Sequence, residues 1–224
     1  MARAGDDSKR RLTSNKKRKP SSASWLTRQL NDPYVKRAKA DGYRSRAAYK
    51  LAELDEKFGL LKGVRRVVDL GIAPGGWSQV VRKRAPQAAI VGIDLLEVEP
   101  LDGVTIFQMD FMSDEAPRAL RDALGGEPDL VLSDMAANTV GHKQTDHLRT
   151  MGLVEAGAWF AVENLAPGGA YVAKVLAGGT DNDLLSLLKQ HFKTVKHAKP
   201  PASRKDSSEW YVIAQGFKGR EGPE

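Results

Sequence analysis

The sequence predicts a Rossmann-like α/β fold: a seven-stranded, mostly parallel sheet with one antiparallel strand and helices on both faces. Three observations carry this. From Arg65 onward, short apolar runs alternate with helical patterns, as β-α-β units around a parallel sheet require. The first run, Val67-Val68-Asp69-Leu70, passes directly into a glycine-rich turn and a helix start that reach Val81. The last two runs are separated only by the polar segment 199–208 (KPPASRKDSS), so the final strand is expected to return antiparallel.

Residues 1–20 contain Lys16-Lys17-Arg18-Lys19-Pro20 and almost no large apolar residue; they are expected to be a basic, disordered extension of a single domain over 21–218. Ser21 to Leu30 begins with serine cap candidates, and Asp32-Pro33-Tyr34 starts a helix with Pro33 at its first position. Ser45 is the expected N-cap of the next helix, whose Ala48, Leu51, Leu54 and Phe58 recur at helical spacing. Lys50 falls off that stripe, where a lysine ordinarily faces solvent. Strands are expected near 66–70, 89–93, 103–107, 129–133, 169–175, 193–198 and 209–215, and helices near 76–84, 115–123, 148–164 and 181–190.

The turn is Gly71-Ile72-Ala73-Pro74-Gly75-Gly76, followed by Trp77-Ser78-Gln79 at the helix start. Glycines let a ligand approach the backbone, and the free N–H groups of a helix start face it. The spacing Gly71-x-x-x-Gly75-Gly76 is not the dinucleotide fingerprint, and no Walker lysine follows. Asp94 stands 18 residues after Gly76, at the end of the second apolar run, where this architecture binds a ribose diol. A nucleoside without a pyrophosphate fits these features, which points to S-adenosylmethionine.

The 224 residues suffice for one large α/β domain. No run of 18 apolar residues is present, and the start lacks a signal-peptide pattern, so a cytoplasmic protein is expected. Cysteine is absent, which excludes disulfides, Cys-ligated metal and the thiolate chemistry of C5-pyrimidine methylation. His142, His147, His191 and His197 have no zinc-type spacing, so no metal is expected. Residues 1–50 carry 15 Lys and Arg against 4 Asp and Glu, a net +11, whereas the other 174 carry 20 against 24, a net −4. Base concentrated at one end of a near-neutral chain suggests a polyanionic partner such as nucleic acid.

The carboxyl ends of the strands should line one crevice. Asp69 closes the first strand, Asp94 the second and Asp134 the fourth, while Asp110 follows the third. Any one could be a turn or cap residue; four on one edge suggest a site. Lys174 lies within the apolar strand Gly169 to Leu176, where a lysine is costly unless paired or functional. Glu209 opens the last strand, where edge charge is common.

With Lys50, Asp134, Lys174 and Glu209 together, the chain from about Trp25 to Gly216 resembles the FtsJ/RrmJ (RlmE) family of ribosomal RNA 2′-O-methyltransferases. The resemblance rests on Arg44-Ser45-Arg46-Ala47-Ala48-Tyr49-Lys50-Leu51, on Asp69 through Gln79, and on Ser133-Asp134-Met135-Ala136, Lys174-Val175 and Ser208-Glu209. It implies an S-adenosylmethionine-dependent methyltransferase fold and a Lys50-Asp134-Lys174-Glu209 catalytic tetrad, with Lys174 as proton acceptor. It also implies cofactor contacts from Asp69, Gly71, Pro74, Gly75, Gly76, Trp77, Asp94, Asp110 and Asp134. The implied substrate is a uridine in the A-loop of large-subunit rRNA, free or in the assembled subunit, in support of subunit assembly. A monomer is expected. Ala137 replaces the family's usual proline, and Leu176-Ala177-Gly178 replaces Phe-Gln-Gly; both changes bear on target recognition. The N-terminal basic extension also looks longer than usual for the family.

A ribose hydroxyl is a weak nucleophile that keeps its proton at neutral pH, so the protein must align it and help remove that proton. A base role for Lys174 needs a neutral amine, which burial favours and neighbouring Asp134 or Glu209 opposes. A charged Lys174 would instead stabilise the developing alkoxide. Asp134 would orient Lys174 and the hydroxyl, while Lys50 and Glu209 would position the ribose. An amino-group methyltransferase is a rival, but Asp134-Met135-Ala136-Ala137 lacks that class's prolines and aromatic. A non-catalytic RNA-binding protein on the same fold is a second rival. A dehydrogenase has the wrong glycine spacing.

Overall fold

The computed structural model describes residues 31–137, 143–176 and 182–220, except the side chains of 143, 144 and 146. The basic extension, the Ser21–Leu30 stretch, Asn138, His142, Ala177 and Gly178 lie outside the described residues.

Helix α1 (Pro33–Ala40) starts as its sequence dictates: Asp32 caps it by accepting the Tyr34 N–H at 3.0 Å, with Pro33 in the first turn. Helix α2 (Ala47–Phe58) buries Ala48, Leu51 and Leu54 and ends at Gly59, whose φ of 64° closes the last turn. Ser45 does not cap α2. Arg46 is the N-cap, already in helical conformation, and the Ser45 hydroxyl is buried with no hydrogen-bond partner among the described residues. The reason is packing: the hydroxyl sits where a side chain on Gly76 would begin, 2.6 Å from an ideal Cβ. Lys50 does not face solvent either; it is 7% exposed.

Strand β1 (Arg66–Leu70) leads through the turn into α3 (Gly76–Arg84). There follow β2 (Ala89–Asp94), β3 (Val104–Gln108), α4 (Ala116–Leu124) and β4 (Leu130–Ser133). Helix α5 (Lys143–Asn164) precedes β5 (Ala170–Leu176) and α6 (Asn182–His191). Strands β6 (Phe192–Ala198) and β7 (Glu209–Phe217) complete the sheet. Helix α5 starts five residues earlier than expected, because its polar first turn lacks the apolar repeat that announces a helix.

The sheet order is β3-β2-β1-β4-β5-β7-β6, with β7 antiparallel to both neighbours and the other pairs parallel, as the sequence predicts. Each face is covered. Leu120, Val154, Ala158 and Leu188 from α4, α5 and α6 pack on one side. Leu51, Leu54, Val80 and Val81 from α2 and α3 pack on the other. Chain order reverses between β1 and β4, which opens a crevice at their carboxyl ends. No helix among the described residues is long and apolar enough to cross a membrane.

Gly92 links this scaffold to the glycine-rich turn. An added Cβ would lie 2.3 Å from Ile72 Cδ1 and 2.9 Å from Ile72 Cβ, so the turn rests on bare backbone of β2. Gly92→Ala should displace Ile72, lower stability by about 1–3 kcal/mol and lower the melting temperature. An unchanged melting curve would show that the turn moves freely on the strand.

Candidate active site

Two features adjoin at the carboxyl edge. The first is a cavity of about 510 Å³, walled by Gly71 and Ala73 of the turn, Asp94, Asp110 and the strip Asp134–Ala137. Its size suits a nucleoside-sized ligand. Asp94 orders the wall by accepting the Ala73 N–H on Oδ2 and the Leu96 N–H on Oδ1, each at 2.9 Å. Each oxygen keeps a lone pair, so a diol could still be accepted. Asp110 Oδ1 accepts the Met112 N–H at 2.9 Å. Leu95, Leu96 and Met112 are exposed and apolar and line the same cavity, as does Arg149 of α5. Pattern reading missed these four because single exposed apolar or basic residues carry no signal on their own.

Gly71, with φ 77°, passes so close to Met135 that an ideal Cβ would lie 2.9 Å from the Met135 Cα. Asp69 lies behind the cavity, 1% exposed, with Oδ2 accepting the Ser78 hydroxyl at 2.7 Å. Its Oδ1 has no partner among the described residues. Burial, joined by the Asp134 and Asp94 charges and opposed by Ser78, raises its pKa from 3.8 to about 7. An open cavity lined by Asp94, Asp110 and Asp134, with lone pairs left on Asp94 for a diol, fits a cationic nucleoside such as S-adenosylmethionine. Pro74, Gly75, Gly76 and Trp77 are not in the cavity wall. Trp77 is buried, donates its indole N–H to the Ala47 carbonyl at 2.9 Å and packs on Tyr211 with ring centroids 5.6 Å apart.

The second feature is a cluster of four charged side chains drawn from separate elements. Lys174, 7% exposed on β5, places Nζ 2.6 Å from the Asp134 carbonyl and 3.2 Å from its Oδ1. Lys50 on α2 places Nζ 2.9 Å from Glu209 Oε2 at the start of β7. Tyr211 joins the two pairs. It faces Lys174 across the β5–β7 register, donates its hydroxyl to Asp134 Oδ1 at 3.0 Å, and lies 5.8 Å from Lys50 Nζ, ring centroid to nitrogen. Burial, Asp134 and Glu209 hold its phenol well above the ordinary value, so it stays a donor. Burial alone would raise the Glu209 pKa; Lys50, and then Lys174, outweigh burial and lower it. The sequence reading overlooked Tyr211, although strand alternation places it on the same face as Glu209.

The "FtsJ-like methyltransferase" family model matches residues 43–217. Two relatives carry the name "Ribosomal RNA large subunit methyltransferase E". That of Erythrobacter litoralis is 77% identical over 220 residues, 98% of this chain and 100% of the relative. That of Novosphingobium aromaticivorans is also 77% identical, over 98% of this chain and 99% of its own length. Among solved structures, a Plasmodium falciparum chain described as a ribosomal RNA methyltransferase superposes with a TM-score of 0.70 at 33% identity, over 80% of this chain and all of that one. A fibrillarin/Nop5p complex shares the fold, with a TM-score of 0.53 at 20% identity over 75% of this chain and 81% of that one.

Asp69 generates a pH prediction. Between about pH 4 and 7 the folded protein keeps a proton that the unfolded chain has lost. The contribution of this group to stability therefore falls as pH rises through that window and is level above it. Asp69→Asn removes the term. Urea melts between pH 4.5 and 8 should show wild type losing up to a few kcal/mol relative to the variant as pH rises. Parallel curves would mean that Asp69 is ionised throughout.

Proposed function

The chain belongs to the FtsJ-like methyltransferase family, and on that premise we propose that it methylates a ribose 2′-hydroxyl of large-subunit ribosomal RNA, with S-adenosylmethionine as donor. The observation that carries this reading is the convergence of Lys50, Asp134, Lys174 and Glu209 beside the cavity. The relatives named for the large subunit support the substrate class. The resemblance supports an A-loop uridine as target and a role in subunit assembly. The basic block at 1–20 flanks a single domain and supplies phosphate contacts.

When bound, S-adenosylmethionine supplies an electrophilic methyl group. Asp94 would hold the ribose diol of that cofactor, Gly71 of the turn would border it, and Asp110 would take part at the wall formed with Met112. The work left to the remaining residues is alignment of the RNA hydroxyl and removal of its proton. Asp134 offers Lys174 two acceptors, its carbonyl and Oδ1. Two acceptors satisfy both N–H bonds of a neutral amine and leave its lone pair for the hydroxyl proton. An ammonium would direct its third N–H to the same place and stabilise the oxyanion. Tyr211, fixed as a donor to Asp134, keeps that carboxylate oriented. Lys50 and Glu209 form the opposite wall and position the ribose.

Asp94→Ala should weaken cofactor binding by about 1–3 kcal/mol, read by calorimetry, because a buried diol loses its acceptor. Unchanged affinity would sink that assignment. Lys174→Ala should lower turnover on large-subunit rRNA roughly 10²–10⁴-fold, with cofactor affinity and fold retained. Lys174→Arg separates the two roles, since arginine keeps the charge but cannot act as a base. Near-normal turnover in that variant leaves only charge stabilisation. Normal turnover in Lys174→Ala refutes both.

A further inference from the structure

A second polar network, outside the cavity walls, joins α2 to the 199–208 segment. Arg46 at the entrance of α2, Lys50 and Glu53 stand at i−4, i and i+3, and so share one face. That face grips the segment at successive points. Glu53 Oε2 accepts the Ala202 N–H at 2.6 Å, and its Oε1 accepts the Tyr34 hydroxyl at 3.2 Å. Arg46 donates to the Ala202 carbonyl and pairs with Asp32 at 2.8 Å. Arg204, further along the segment, reaches the same Asp32 oxygen at 3.4 Å. Both backbone groups of Ala202 are thus taken by side chains from α2, and its methyl group is fully buried with Ala38 and Tyr49.

The stretch from Ala202 to Glu209 is fixed internally. Lys199 Nζ donates to the Ser207 carbonyl at 2.6 Å, the Ser207 N–H to the Arg204 carbonyl at 3.1 Å, and the Glu209 N–H to the Ser207 hydroxyl at 3.1 Å. At the far end Lys50 meets Glu209. Magnitudes decide what holds this end in place. The Glu209 side chain is 30% exposed, and a partly exposed single ion pair is weak. The Glu209 backbone is placed by its pairing with Leu176 of β5, but one such ion pair is too little to hold Lys50, carried on α2, in place against it. Charged side chains bonded to buried backbone hold more strongly than such a pair.

We propose that Arg46 and Glu53 are positioning residues for methyl transfer: they clamp Ala202 to α2 and thereby set Glu209 against Lys50. The inference rests on the catalytic assignment of Lys50 and Glu209 above, and it extends that assignment to two residues that touch neither the cavity nor the cluster.

The test is steady-state methylation of large-subunit rRNA by the full chain carrying Glu53→Ala, Glu53→Gln, Arg46→Lys, Glu209→Gln, or Glu53→Ala with Glu209→Gln. Cofactor affinity and melting temperature are measured on each. Glu53→Ala should lower kcat on the order of 10- to 100-fold, the scale of a misplaced reacting group, with cofactor affinity unchanged. Glu53→Gln should recover most of it, because its amide oxygen still accepts the Ala202 N–H. In the Glu209→Gln background, Glu53→Ala should cost about twofold or less, because its effect runs through Glu209. Losses that multiply, or wild-type kcat in Glu53→Ala while Glu209→Gln is impaired, overturn the inference and leave the function standing. Wild-type kcat in Glu209→Gln removes the catalytic assignment and the inference with it. Should Glu53→Ala not fold, Arg46→Lys carries the same test: it keeps the charge facing Asp32 but loses the fork that also reaches Ala202. A folded Arg46→Lys protein at wild-type kcat is then the overturning result.

Discussion

A lysine amine inside a buried strand constrains everything near it. Lys174 sits on β5 between β4 and β7 and is only 7% exposed. A buried amine is costly unless it is paired, so a partner must come from a neighbouring strand end. Asp134 supplies it by following β4 directly, its N–H bonded to the Leu70 carbonyl at 3.1 Å. The carboxylate then needs a donor of its own, which Tyr211 provides from β7. The acid at the end of β4 and the tyrosine on β7 thus both serve one buried amine.

The same logic explains which parts could be read from sequence. Strands β1, β2, β4 and β5 are apolar runs because parallel strands are buried on both faces, and an acid at the end of such a run is visible at once. Lys174 was legible for the same reason: it breaks an apolar run. Lys50 was not, because its position off the apolar stripe of α2 looks like a solvated face. Only tertiary packing reveals that this side is covered by β7 and the segment before it, with Glu209 waiting there. Tyr211 escaped because an aromatic residue in a strand is ordinary; its significance lies in a hydroxyl aimed at Asp134. Ser45 misled because its cap signal is local, whereas its place under Gly76 is set by how α2 packs on α3.

Trp77 illustrates how local and tertiary roles separate. Its place at the helix start after the glycine-rich turn suggests a ligand contact. In the fold, its indole N–H is bonded to Ala47 and its ring lies against Tyr211. It therefore ties the turn that shapes the cavity to the helix bearing Lys50 and the strand bearing Tyr211. A shift of the turn is felt by both halves of the site through one rigid aromatic contact. The turn has a second tie in Arg44, which donates to the carbonyls of Pro74 at 3.2 Å, Glu99 at 2.6 Å and Pro100 at 2.7 Å. Arg44 and Arg46, two residues apart at the entrance of α2, thus anchor opposite sides of the site.

Charge accounting gives the arrangement its chemical sense. Glu209 is held ionised by the lysines, and Tyr211 is held protonated by burial and the nearby acids. With both lysines charged, Lys50 and Lys174 balance Asp134 and Glu209, and the cluster is neutral. If the Lys174 amine is neutral, as a base role requires, the cluster carries a net −1. A positive sulfonium donor, if held in the adjoining cavity as proposed, would make that negative state less costly. In the proposed transfer the hydroxyl proton would move to Lys174 and restore neutrality to the cluster, while the donor would give up its positive charge with its methyl group. On this reading the charge lost in the cavity and the charge gained at Lys174 are the two ends of one step.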